Sequence, residues 1–255
     1  MNIEIVCHRG ANEYAPENTY AAAQLCIDWG MDYVEVDVNT SKDEVLYLMH
    51  GPLIDHTTNG TGYFGELTSH EIDQLDAGSW FHCRYANERI PRLEPFLQWI
   101  KGKAKVFLDV KAAQKEQLLE ILYRTGMTQD CFLWTASDRW MLEVRQADPS
   151  LQLKMNANSV ADIVEAAEVY RANIIEVDLD KMDAEIAKAC HWFGLRLMIY
   201  ARGKDEAAYQ QVIEWGADMV NLNHGDLFQK VIKRTFVNSL QPHISRPIWQ
   251  QVGTM

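Results

Sequence analysis

Four short stretches hold side chains that could do chemistry together. His8 and Arg9 close the apolar run IEIVC, Glu35 and Asp37 stand two apart in YVEVDV, Asp109 and Lys111 repeat that spacing in VFLDVK, and His50 ends VLYLMH. Residues two apart on a strand point to the same side, so Glu35 and Asp37 share a face. Carboxylates so placed repel unless a cation sits between them. With Asp109 they offer three hard oxygen ligands from neighbouring strands, a set that suits Mg2+ or Ca2+ better than zinc.

Strands are needed to bring these groups together, and the chain supplies them at regular intervals. β-rich runs occur at 3–7, 33–38, 106–110, 131–136, 151–155, 174–179, 196–200 and 219–223. Between them lie segments such as NTYAAAQLCIDWG and EAAYQQVIEWGAD, with apolar residues three and four apart and a Gly at or near the end, the pattern of amphipathic helices. Alternation of this kind over 255 residues predicts an α/β fold, a single-domain (β/α)8 TIM barrel of the usual ~250 residues, with a doubly wound open sheet as the alternative. In such a barrel the C-terminal strand ends build the site. His8, Arg9, Glu35, Asp37, Asp109 and Lys111 all fall at such ends, as do Glu176, Asp178, Tyr200, Arg202, Asn221 and Asn223 further on.

The run VLYLMH at 45–50 follows the second strand after only NTSKDE, too few residues for a parallel crossover, so it must return as an antiparallel hairpin arm. It delivers His50 to the start of a Gly-, Thr-, Asn- and Asp-rich insertion at about 51–92. Within the insertion SHEIDQLDAG reads as a short helix that Ser69 could cap. A tail at about 236–255, with Trp249, follows the last helix. Trp80, Phe81, Trp134 and His224 are weaker candidates, because aromatic residues near loops usually close a core.

Composition narrows the partners. A net charge of −12 disfavours nucleic acid, whose binding depends on Lys and Arg neutralising phosphates. Five scattered cysteines without a CxxC pair argue against a disulfide framework or a thiolate zinc site. No apolar run reaches the ~18 residues of a membrane span, so no membrane insertion is expected. The first residues, MNIEIVCHRG, lack a secretory pattern, and a cytoplasmic location is the expectation. A homo-oligomer is compatible with the fold.

HRG followed by APENT, then EVDV, a His-ended strand, DHTTNGTG and LDVK resembles the glycerophosphodiester phosphodiesterase family. FGLRLMIYA and WGADMVNLNHGDLF are similar to that family's last two strands. The resemblance implies a barrel with an insertion after the second strand. It also implies that Glu35, Asp37 and Asp109 hold a divalent cation, Mg2+ or Ca2+, and that His8 and His50 form an acid-base pair. Arg9 and Lys111 would contact phosphate, and Glu17 would orient Arg9 or the loop. Glu176 and Tyr200, at later strand ends, are candidates for substrate contact or for a structural role, Tyr200 as an aromatic wall where the family commonly has Trp. The implied activity is hydrolysis of glycerophosphodiesters, or of a related sugar or polyol phosphodiester, to a phosphomonoester and an alcohol, within lipid metabolism. The alternatives are a phospholipase D-type transfer giving a cyclic phosphate and a non-catalytic phosphodiester-binding protein.

The chain departs from the family pattern in places. His50 precedes Gly51 where the family has Asp, His56 stands where Arg is usual, Asp109 replaces the commoner Glu, and Tyr200 lies where Trp is common. The His-Gly pair is also distantly similar to sphingomyelinase D-type phospholipases. These changes point to an altered wall and a shifted alcohol group rather than lost activity.

Overall fold

The computed structural model describes residues 3–239. The strands are β1 (Glu4–Cys7), β2 (Tyr33–Thr40), β3 (Leu46–Leu48), β4 (Lys105–Val110), β5 (Cys131–Trp134), β6 (Gln152–Asn156), β7 (Ile174–Asp178), β8 (Arg196–Tyr200) and β9 (Met219–Leu222). Their order in the sheet is β1-β9-β8-β7-β6-β5-β4-β2-β3, and β1 also pairs β2. The order therefore returns to its start through eight strands, which is the (β/α)8 barrel, and β3 is left as the added ninth. As the short NTSKDE link requires, β3 is antiparallel to β2, with Val38 opposite Leu48.

Helices α1 (Tyr20–Asp28), α2 (Ser69–Ile72), α3 (Leu93–Ile100), α4 (Lys115–Thr125), α5 (Asp138–Ala147), α6 (Val160–Glu168), α7 (Ala184–Trp192), α8 (Glu206–Glu214) and α9 (Gly225–Ser239) fill the connections. Many start on a side chain that takes up a free backbone N–H of the first turn: Thr19, Ser137, Ser159, Asp183 and Asp205 each accept one. None of the described helices is long and apolar enough to cross a membrane. α9 continues to Ser239, and the rest of the expected tail, with Trp249, lies outside the described residues.

The chain divides into two compact units. In the unit formed by residues 7–152, β2 and β4 run parallel in a register that sets Glu35 beside Phe107 and Asp37 beside Asp109. Val34, Val36 and Val38 alternate with the two acids and are buried, as are Phe107 and Phe132, whose rings stack at 4.5 Å. The insertion belongs to this unit and has its own small core of Tyr47, Met49, Ile54, Phe64, Ile72, Ala77 and Ile90. It leaves β3 at His50, and its far end is held back on β3: the Leu48 N–H donates to the Pro91 carbonyl, and Tyr47 bridges Arg92. α2 is capped by Thr68 rather than Ser69, because Glu71 three residues on returns a carboxylate to the Thr68 N–H and completes a capping box. The Ser69 hydroxyl instead donates to Asp43.

The other unit, residues 1–6 and 153–255, carries β6 to β9 with α6 to α9. β7 and β8 pair in parallel from Ile174–Arg196 to Asp178–Tyr200, and Ile174, Ile175, Met198, Ile199 and Met219 are fully buried.

Candidate active site

The turn after β1 is shaped by glycine. Gly10 has φ +76, and a Cβ there would lie 2.8 Å from the Ala22 Cβ of α1, so both the backbone and the close helix approach require Gly. Its N–H donates to the Cys7 carbonyl and that of Ala11 to Ala22, which fixes His8 and Arg9 between strand and helix. Arg9 itself is left-handed at φ +55.

From this turn Arg9 Nη1 reaches both Glu17 carboxylate oxygens at 3.2 Å, and its Nε lies 3.5 Å from Asp37 Oδ2. Burial disfavours the guanidinium charge, but Glu17 and Asp37 together outweigh it and hold Arg9 above its ordinary pKa. His8 Nε2 stands 3.9 Å from Glu35 Oε2.

Glu35, Asp37 and Asp109 are 2%, 0% and 8% exposed, and each offers a carboxylate oxygen within 4.8 Å of the others. The pairing of Asp37 with Asp109 across β2 and β4 explains the convergence, since directly opposed residues on parallel neighbours face the same way. Lys111 Nζ lies between two of them, 3.1 Å from Asp37 Oδ1 and 2.7 Å from Asp109 Oδ2. Burial alone would lower the Lys111 pKa, yet Asp37 and Asp109 raise it. Trp134, opposite Asp109 in the ladder, places its ring 5.9 Å from the same ammonium.

His50 follows β3, and the preceding Met49 donates its N–H to the Asp37 carbonyl at 2.9 Å. The imidazole is half-buried and feels Asp37, Arg9, Lys111 and Glu17. Burial, reinforced by Arg9 and Lys111, holds its pKa below the ordinary value despite Asp37.

Three buried carboxylates of this kind are hard oxygen donors suited to a divalent cation of the Mg2+ or Ca2+ type. Beside them stand two cations and two imidazoles, the groups a phosphate ester would need. The glycerophosphoryl diester phosphodiesterase family profile matches residues 8–194. The chain belongs to this family.

Glycerophosphoryl diester phosphodiesterases are phosphoric diester hydrolases, and relatives extend the match along the chain. The Bacillus subtilis protein YhdW is 41% identical over 107 residues, 42% of this chain and 44% of that protein, so the chain spans less than half of that relative. The glycerophosphodiester phosphodiesterase of the same organism is 28% identical over 253 residues, covering 89% of this chain and 86% of its own. The crystal structure of a glycerophosphodiester phosphodiesterase from Agrobacterium tumefaciens superposes with a TM-score of 0.84 at 35% identity, over 90% of this chain and all of that one.

In this family member the remaining candidates lie in the other unit. Glu176, at the end of β7, pairs with Lys154 at 2.6 Å and accepts from Asn221 Nδ2 at 3.0 Å. Lys154 is 1% exposed and also donates to Asn156 at 2.7 Å. Glu176 thus anchors a buried network, which the strand-end reading did not foresee. The signal was the charge of Lys154 inside LQLKM, which burial demands be paired. Tyr200 ends β8 half-buried, with the Arg202 guanidinium 5.3 Å from its ring centre and 3.4 Å from Asp178. Asn18 was also passed over. It donates Nδ2 to Asp37 Oδ2 at 2.8 Å and accepts the Asp37 N–H at 2.9 Å.

Proposed function

We propose that the chain hydrolyses glycerophosphodiesters, or a related small polyol phosphodiester, to a phosphomonoester and an alcohol, with Glu35, Asp37 and Asp109 holding a divalent cation and His8 and His50 exchanging the protons. The observation that carries this reading is the convergence of those three buried carboxylates, with Lys111 and Arg9 beside them. A bound cation of this kind neutralises charge on the non-bridging phosphate oxygens. Arg9 and Lys111 add donors of fixed charge for the same oxygens. His50, whose charged form burial disfavours, accepts a proton from the attacking water. His8 returns a proton to the oxygen of the departing alcohol. The small diester is the proposed partner.

Phosphorus NMR of the purified protein with glycerophosphocholine tests this, with Mg2+ or Ca2+ added and after chelation. A phosphomonoester appearing only with cation is the expected result. Undiminished turnover after chelation would remove the cation, and intact diester despite tight cation binding would make the chain a binding protein. Accumulation of a cyclic phosphate would assign the nucleophile to a substrate hydroxyl and the reaction to the transfer class.

A further inference from the structure

We propose that Asn18 is a positioning residue that decides which Asp37 oxygen is offered to the cation and ties that ligand to the Arg9 turn. The inference rests on the cation reading above and concerns how this chain builds the site. Asn18 is 5% exposed, and its amide is used at both ends: Oδ1 takes the Asp37 N–H at 2.9 Å, and Nδ2 donates to Asp37 Oδ2 at 2.8 Å. Only this orientation of the amide serves both, because the backbone group can only donate and the carboxylate can only accept. The clasp therefore fixes the Asp37 side chain against its own backbone.

Its effect on the two oxygens is unequal. Oδ2 is taken by Asn18, with Arg9 Nε 3.5 Å away, while Oδ1 is turned to Lys111 Nζ at 3.1 Å. Oδ1 is buried without a hydrogen-bond partner, so it is the oxygen a cation would take once it displaces the Lys111 ammonium. Asn18 also has φ +55, a left-handed conformation that Asn adopts more readily than most residues, and its N–H donates to the Arg9 carbonyl at 3.1 Å. One residue thereby couples the β1 turn carrying the guanidinium to the β2 ligand.

A neighbour provides the control. Thr19 caps α1, accepting the Ala22 N–H at 3.3 Å and donating to the Pro16 carbonyl at 2.6 Å, with no contact to a carboxylate. Mn2+ affinity of the full chain is measured by electron paramagnetic resonance titration for the wild type, Asn18→Gly and Thr19→Ala. Glycine accepts the left-handed backbone, so that variant removes the clasp without straining the turn. Asn18→Gly should weaken Mn2+ binding about 10- to 100-fold, the usual effect of losing a group that orients a ligand, while Thr19→Ala binds as the wild type. Wild-type affinity in Asn18→Gly, or an equal loss in Thr19→Ala, would overturn the proposal. A wild type that binds no Mn2+ would overturn the cation reading itself. Should Asn18→Gly not fold, nitrogen-15 NMR of the wild type decides: the Asn18 side-chain amide should exchange slowly and shift on adding Mg2+, and a fast-exchanging, unshifted amide would overturn the clasp.

Discussion

Lys111 Nζ lies 2.7 Å from Asp109 Oδ2, a cation held by a carboxylate at the end of the same strand. Its contact with Asp37 at 3.1 Å makes it the internal counter-charge of the carboxylate cluster. Lys111→Met would leave those acids without it. Loss of charge-assisted bonds of this kind costs about 2 kcal/mol, so the cation-free variant should unfold at lower urea, and added Mg2+ should recover more stability than in the wild type. Urea titrations with and without Mg2+ measure both, and equal midpoints for variant and wild type would contradict the role.

His8→Ala and His50→Ala should each lower kcat by about two orders of magnitude or more, the worth of a positioned acid or base. Mn2+ binding should survive in both, since neither imidazole is among the carboxylate ligands. Near-normal rates in both variants would remove the acid-base assignment.

His50 also gives stability a defined pH dependence. Its folded pKa is held below its ordinary value of 6.5, chiefly by burial, so between the two values the unfolded chain binds more protons than the folded one. The contribution is complete above 6.5 and is lost as pH falls through the folded value. Unfolding free energies measured from pH 5 to 8 should therefore slope upward, and His50→Ala should flatten that slope. A slope unchanged in the variant would assign it to other groups.

Gly78 lies where the insertion folds on itself, and a Cβ there would come within 2.0 Å of the Tyr85 carbonyl oxygen. Backbone cannot yield as a side-chain tip would. Gly78→Ala should cost about 1–3 kcal/mol and disturb the insertion, read as a lower urea midpoint. Unchanged stability would show that the segment relaxes freely.

Tyr47 donates its hydroxyl to Asp73 Oδ1 at 2.8 Å, and Arg92 grips the same carboxylate at 2.6 and 3.2 Å. Burial and Asp73 both raise the phenol pKa. Tyr47→Phe should cost about 1.5–3 kcal/mol, the worth of a hydrogen bond to a charged group, and Asp73→Ala more, because it strips partners from both Tyr47 and Arg92. The reverse order in urea titrations would place the weight on Ser69, whose carbonyl also accepts from Tyr47.

Much of the architecture was legible because alternating strand and helix patterns and short links leave few topologies. RLMIY was read to its exact bounds at 196–200, and NTSKDE forced the hairpin. The acidic cluster was legible as well, since two-residue spacing on adjacent strands converges by geometry. What escaped were groups whose partners are remote in sequence. Asn18 meets Asp37 nineteen residues on, and Lys154 meets Glu176 twenty-two on. Neither pairing leaves a periodic trace. The cap of α2 was misplaced by one residue because Thr68 and Ser69 are chemically alike, and only Glu71 distinguishes them.

The insertion departs from β3 just after Met49 and comes back to it at Pro91 and Arg92, while Met49 itself is fastened to the Asp37 carbonyl. Such a panel hangs from a single frame. His50 is positioned by that frame, through Tyr47 and Met49, rather than by the outer stretch of the insertion. Variation in the insertion is thereby mechanically separated from the carboxylate cluster on β2 and β4.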